Sequence, residues 1–317
     1  MSADPVRRIA DAVLYEGYIL WPYRRSALKN RQRWTFGGVY PRGHSEGRED
    51  DPWVMRAECL LRGDPETVDV RVRFLHVVRR QLLADGEPVD ELTVGGERHL
   101  SWEEATEREL SGRVGERVPL QIPARSEEEP LGRGASVQRS WRALEGSLEV
   151  SGERLADGLH RVAVRVANTS PWDGGTREDA MQRTFCSTHA VLHVGSGEFI
   201  SLTDPPEELR NQADGCRNEG VWPVLVGQPH EHHTVLASPI ILEDHPQIAP
   251  ESPGDLFDGG EIDQMLTLNI LALTDEEKAE MRASDPRARE ILERTEALTE
   301  DELMSLHGAV RDLREVR

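Results

Sequence analysis

The chain has 317 residues and a mass of 35.6 kDa, enough for one large domain or two ordinary ones. Its 38 Lys and Arg against 58 Asp and Glu give a formal charge of −20. That excludes the broadly basic surface that nucleic acid and anionic lipid reward. Hydrophobic residues at 37% and charged residues at 30% suffice for a core, and there is no run of 18 apolar residues to span a membrane. The start, MSADPVRRIADAV, has no apolar h-region, so the expected location is the cytoplasm. Cys59, Cys186 and Cys216 lie far apart without a CxxC pair, as suits a reducing compartment.

From the N-terminus, Leu14–Leu20 has strand composition, with Pro22 ending it, and RWTFGGVY reads as a second strand bent at Gly37-Gly38. Val68, Val70, Val72 and Phe74 alternate with Asp69, Arg71 and Arg73, the period of a half-buried strand. SWEEATEREL is expected to form a short helix capped by Ser101 and Glu104. Pro123–Ser136 reads as an exposed loop or hairpin tip. Val162, Val164 and Val166 alternate with Ala163 and Arg165 after an Asp157-Gly158 turn. The strand–turn–strand rhythm then continues to TVLASPIIL. No helical segment separates successive strands, so the fold class is mainly β: an antiparallel β-sandwich, immunoglobulin-like or related.

The last region is helical, and its boundaries are written in capping residues. Asp258 with Glu261, Thr274 with Glu277 and Thr299 with Glu302 fit N-cap plus N3 spacing, and Asp285 precedes Pro286. Helices are expected near 259–272, 275–283, 286–297 and 300–314. Residues 1–245 form the β-rich body in this reading, either continuous or as two packed sub-domains, 1–83 and 84–245. Residues 246–317 are an acidic connector and helical tail. Charge is uneven too: Met1–Arg42 carries eight bases and three acids, Glu243–Arg317 eight bases and twenty acids.

Candidate chemistry is sparse. Glu243–Asp263 holds three prolines and seven acids with one histidine. Asp244, His245, Glu251 and Asp255 are hard and borderline donors suited to a divalent metal, but their spacing matches no EF-hand or HExxH. The plainer reading is a rigid loop available for recognition, with Phe257 beside it. His230 and His232 in PHEHH would point to one side of an extended chain about 6.5 Å apart, a second pair able to hold a metal, or a solvated hairpin tip. His189 and His193 share a strand face opposite Cys186, Thr188, Ala190, Leu192 and Val194, about 13 Å apart, too far to share an ion. No nucleophile elbow, GxGxxG or GxxxxGK[ST] is present, so catalysis and nucleotide binding have no motif to stand on. Near the N-terminus, Arg24, Arg25 and Arg33 interleave with Trp21, Tyr23 and Trp34. That pattern suits an acidic protein surface or a single-stranded nucleic acid; the competing account puts the aromatics in the core.

Five stretches together resemble a family of uncharacterised, chiefly actinobacterial proteins encoded beside high-affinity NiFe-hydrogenase genes. They are LYEGYILWPYRRSALKNRQRW, GLHRVAVRVANTS, CRNEGVWPVLVG, SPIILEDHPQIAPESPGDLFDGGEID and LTDEEKAEMRASDPRA, spread from Leu14 to Ala288. The resemblance implies an accessory protein whose partners are NiFe-hydrogenase subunits or their maturation factors; it carries over no catalytic residue and no cofactor. The expected function is therefore non-catalytic binding, through the N-terminal basic-aromatic stretch and the His245, Glu251, Asp255 and Phe257 loop, without nucleic acid. The alternative is a metal-dependent hydrolase or metal-delivery protein built on Asp244-His245.

Overall fold

Alternation of small β-branched residues with charged ones organises the body of the protein. The structure is a computed structural model that describes residues 5–19, 23, 30, 36–248, 254, 256 and 263–305. It is mainly β, with antiparallel sheets and helices toward the C-terminus. In chain order, α1 (Pro5–Tyr15) and α2 (Arg42–Ser45) precede β1 (Val54–Gly63) and β2 (Val68–Ala84). Then come β3 (Glu87–Val89), β4 (Glu91–Val94), β5 (Glu97–Leu100), β6 (Trp102–Arg113), β7 (Arg117–Ile122), β8 (Arg125–Gly132) and β9 (Ala135–Trp141). They are followed by β10 (Leu144–Ala156), β11 (Leu159–Asn168), α3 (Arg177–Met181), β12 (Cys186–Val194), β13 (Gly197–Ile200) and α4 (Arg210–Asp214). The last strands are β14 (Trp222–Leu225) and β15 (Thr234–Ser238), and the tail is α5 (Asp263–Leu271), α6 (Asp275–Ser284), α7 (Pro286–Glu296) and α8 (Glu300–Ser305). Among the described residues, no helix is long and apolar enough to cross a membrane.

One sheet runs β13-β1-β11-β10-β7 and the other β14-β15-β12-β2-β9-β8, while β6 and β3 pair with the opposite edge of β2. Strands from residues 54–84 thus lie between strands from later in the chain. Val68, Val70, Val72 and Phe74 of β2 enter one apolar cluster with Ala57, Cys59 and Leu61 of β1, Val162, Val164 and Val166 of β11, and Ala190, Leu192 and Val194 of β12. Side chains of both sheets therefore share one core. Phe74 stacks on Phe185 with centroids 4.6 Å apart, and Gly146 makes room: a Cβ there would sit 2.9 Å from the Phe185 ring. The expected alternation at Val68–Phe74 and Val162–Val166 is present. The Pro123–Ser136 stretch contains β8 and a tight turn with Arg133 at φ 54°, the hairpin alternative.

Three expectations need correction. Leu14–Ile19 is no strand: α1 runs to Tyr15 and a turn follows at Gly17, φ 71°. Ile9, Ala10 and Val13 recur at helical spacing and bury against Val224, Val226 and Leu236, so packing overrides the strand-like composition. Leu20 and residues 31–35 lie outside the described residues, and Val39 makes an isolated bridge to Phe185. SWEEATEREL is strand β6, paired along its length with β2. Ser101 does not cap a helix; its hydroxyl accepts from Leu82 N–H and donates to the Val89 carbonyl, while Glu104 pairs with Arg139. Third, Cys186 does not face with Ala190, Leu192 and Val194. A bulge at Ser187, φ 52°, inserts one residue and turns Cys186 to the opposite side.

That opposite side carries the helices. Beyond Phe74, β2 is buried on both faces through Val78, because Leu75 and Val77 lie under Tyr15, Tyr18, Leu266, Ile270, Met281, Ile291 and Leu292. The tail helices begin where the capping residues place them: Thr274 and Glu277 form a reciprocal box, Asp285 caps α7, and Pro286 occupies its first turn. Asp258 and Glu261 lie outside the described residues. Thr299 and Glu302 make the same reciprocal bonds. Ala288, Ile291, Leu292 and Thr295 give α7 one buried stripe.

Candidate binding site

Of the residues singled out in the sequence, Trp21, Arg24, Arg25, Arg33, Trp34, Glu251, Asp255 and Phe257 lie outside the described residues. Tyr23 is fully buried and its hydroxyl donates to the Leu256 carbonyl at 2.8 Å, so it belongs to the interior and not to a contact surface. Asp244 is a pin. Its carboxylate accepts from Leu225 N–H at 2.7 Å and from the Ser201 hydroxyl, tying the chain after β15 to β14 and to the end of β13. His245 follows in the left-handed region at φ 56°, with its N–H on the Leu225 carbonyl at 2.7 Å. Its ring lies 5.9 Å from that of His232, and its buried Nδ1 makes no hydrogen bond. The two histidine candidates of the sequence thus meet through one member each, while His230 is exposed. Glu231 accepts from Gln228 N–H, closing its own turn. No group of three His, Cys, Asp or Glu able to hold a metal occurs among the described residues.

Of the remaining nucleophile and base candidates, Cys59, Cys186 and His189 are buried. Burial pushes the Cys59 and Cys216 thiols up, away from the reactive thiolate. His189 is fully buried, its pKa lowered to about 4 chiefly by burial, with Nδ1 3.2 Å from the Ser187 carbonyl. His193 faces solvent and meets the Thr234 hydroxyl at 3.0 Å.

A site absent from the sequence reading forms around residues 36–55. The bulge at Ser187 lets Ser187 and Thr188 N–H donate to the Phe36 and Gly37 carbonyls at 3.1 and 2.9 Å. Tyr40 N–H then donates to Pro52, closing the loop that contains α2. Inside it, His44 Nε2 and Asp51 Oδ2 lie 2.9 Å apart, and Arg177 reaches Asp51 Oδ1 at 3.2 Å and the Tyr40 hydroxyl. The Tyr40 ring stacks on His44 at 5.3 Å and carries the Arg177 guanidinium 5.3 Å from its centroid. Burial alone would raise the Asp51 pKa, yet His44, Arg177 and Tyr40 hold it below the usual carboxylate range. Burial, above all, drives the Tyr40 phenol upward.

In front of this cluster opens a pocket of about 230 Å³, walled by Phe36, Met55, Trp222 and Pro239 and bounded by Tyr40, Arg177 and Asp50. Gly37 sits on its wall at φ 56°, where a Cβ would lie 2.6 Å from Pro239, so glycine is required there twice over. Phe36 is 43% and Trp222 45% exposed, and neither ring has an aromatic or cationic partner among the described residues. Charges around it divide sharply. Arg177 is paired with Asp51, Arg42 lies 4.9 Å over Trp53, and Arg48 donates to the His44 carbonyl. Glu46, Glu49 and Asp50 on the same loop are exposed and make no ion pair among the described residues. The Gly37-Gly38 bend was the one local signal for this place. No protein-family model matches the chain, and no curated protein matches it either.

Proposed function

We propose that the protein works by contact, as a non-catalytic binding protein, with the Phe36–Trp222 pocket as its recognition surface. The observation that carries this is the pairing of two large, half-exposed aromatic rings around one pocket, backed by a His44–Asp51–Arg177–Tyr40 cluster joined by hydrogen bonds. Paired aromatic anchors with a polar rim are what interface centres are made of, and burial pushes the Cys59 and Cys216 thiols away from the reactive thiolate. We infer further that the two sheets with their common core constitute a β-sandwich, immunoglobulin-like or related, serving as a stiff frame. The sequence resemblance adds a partner class, NiFe-hydrogenase subunits or maturation factors, with a cytoplasmic location to match. The test uses purified hydrogenase subunits and the whole chain. Wild type is expected to retain them and the Phe36→Ala/Trp222→Ala double variant to lose them. Equal retention by that variant overturns the reading.

A second reading, metal delivery or metal-dependent hydrolysis at the Asp244-His245 turn, is favoured by the His232–His245 pair. Two imidazoles on one ion, at metal–nitrogen distances of about 2.0–2.1 Å, place their centroids roughly as far apart as these. Titration of untagged protein with Zn²⁺ should then show saturable binding that His245→Ala abolishes. Unsaturable binding, or binding that survives the substitution, removes this reading.

A further inference from the structure

We propose that the pocket takes the side chain of an arginine presented by a basic segment of the partner protein; this rests on the contact reading above and names its chemistry. The guest must satisfy three features of the site. Its polar end meets an acid: Asp50 lines the pocket, and Glu46 and Glu49 stand on the same loop outside it, all three without ion-pair partners among the described residues, on a chain of net charge −20. Among the described residues, the bases on or beside this loop are already engaged: Arg177 by Asp51 and Tyr40, Arg42 by Trp53, Arg48 by the His44 carbonyl. An anionic guest would therefore meet uncompensated negative charge and a guanidinium that is already neutralised.

The walls select among cations. Phe36 and Trp222 offer ring faces with no cation upon them among the described residues, and cation–π attraction is strongest on the indole. A planar guanidinium stacks on such rings and can hold a carboxylate such as that of Asp50 through two parallel N–H bonds, whereas an ammonium is a more strongly hydrated point charge. Met55 and Pro239 supply apolar wall for the three-methylene stem, and a volume of about 230 Å³ accommodates one long side chain, not a folded segment.

The probe is the peptide acetyl-Gly-Gly-Arg-Gly-Gly-amide, titrated into the full chain at low salt, with citrulline or Glu replacing Arg in matched controls. Binding is read as the change in tryptophan emission that is missing from Trp222→Phe, and independently by NMR of the peptide. The Arg peptide is expected to bind, the citrulline peptide about tenfold more weakly, and the Glu peptide not at all. Asp50→Asn should weaken the Arg peptide about threefold or more and flatten its salt dependence. Citrulline or Glu binding as tightly as Arg, or indifference to Asp50→Asn, overturns the arginine guest. So does failure of the Arg peptide to bind while Phe36→Ala/Trp222→Ala still loses the hydrogenase subunits, and in that case the contact reading stands. Subunit retention by the double variant removes both.

Discussion

The layer shared by the two sheets and the layer beneath the helices are held by different means. Between the sheets, valines from β2, β10, β11 and β12 and the apolar residues of β1 meet around the stacked Phe74 and Phe185, and the stabilisation comes from area and fit. Under the helices, apolar burial is supplemented by polar pins between distant parts of the chain. Tyr15 donates to Glu107 and Tyr18 to Asp285, each at 2.6 Å; Arg73 bridges Asp11 and Glu107; Arg287 lies 3.8 Å over the Tyr15 ring. These pins fix where α1 and α7 sit on the sheet, which area alone leaves loosely specified. A repeating surface can be held by repetition, and a unique docking of terminal helices needs directional contacts.

The sharpest way to break the comparison is to empty the sheet layer. Phe74→Ala is expected to cost about 3–5 kcal/mol, read by chemical denaturation, because the site is walled by strands that cannot collapse into the void. Next in size is acid sensitivity, for each layer holds a buried neutral histidine. Burial and the Arg108 guanidinium lower the His76 pKa to about 3, opposed in part by the backbone of Arg142, and burial lowers that of His189 to about 4. Neither histidine makes stability depend on pH above the unfolded-state pKa of about 6.5. Below it the unfolded chain takes up protons that the folded chain refuses, so stability falls until the pH reaches each folded value. His76→Leu should therefore flatten the loss between pH 6.5 and 4, measured as the urea midpoint at each pH. A slope equal to that of wild type would show that His76 is not the buried base responsible.

What could be read in advance follows the same division. Val162–Val166 and Val68–Phe74 declare themselves because both faces of a strand are encoded within a few residues. Thr274 with Glu277, and Asp285 with Pro286, declare helix starts for the same local reason. By contrast, the strand-like composition at Leu14–Ile19 covers the end of α1 and the turn after it, and the helix is held by Ile9, Ala10 and Val13 against the sheet face. β6 is rich in Glu and looks helical; its ladder with β2 decides otherwise. The pocket lies beyond local reading altogether. Phe36, Arg177 and Trp222 come together through one bulged residue, Ser187, whose hydroxyl also reaches the Val13 carbonyl and so couples the pocket wall to the end of α1.

Two smaller substitutions sharpen the contrast from the helical side. Tyr18→Phe keeps the ring under Arg287 and removes the bond to Asp285, for an expected loss of about 1–2 kcal/mol in the same denaturation experiment. Thr274→Ala, last in size at about 1 kcal/mol, opens the capping box of α6 at an exposed position and touches neither apolar layer. Its value lies in where the loss shows. If sheets and helices unfold as one unit, amide exchange speeds up by the same factor in β2 and in α6, because both report global opening. If the helices can lift off alone, α6 and α7 exchange faster while β2 stays at the wild-type rate. The pins from Tyr15, Tyr18 and Arg287 into β6, α1 and α7 make the first outcome the expected one, since lifting α7 exposes Asp285 and strips the cation from the Tyr15 ring in a single step.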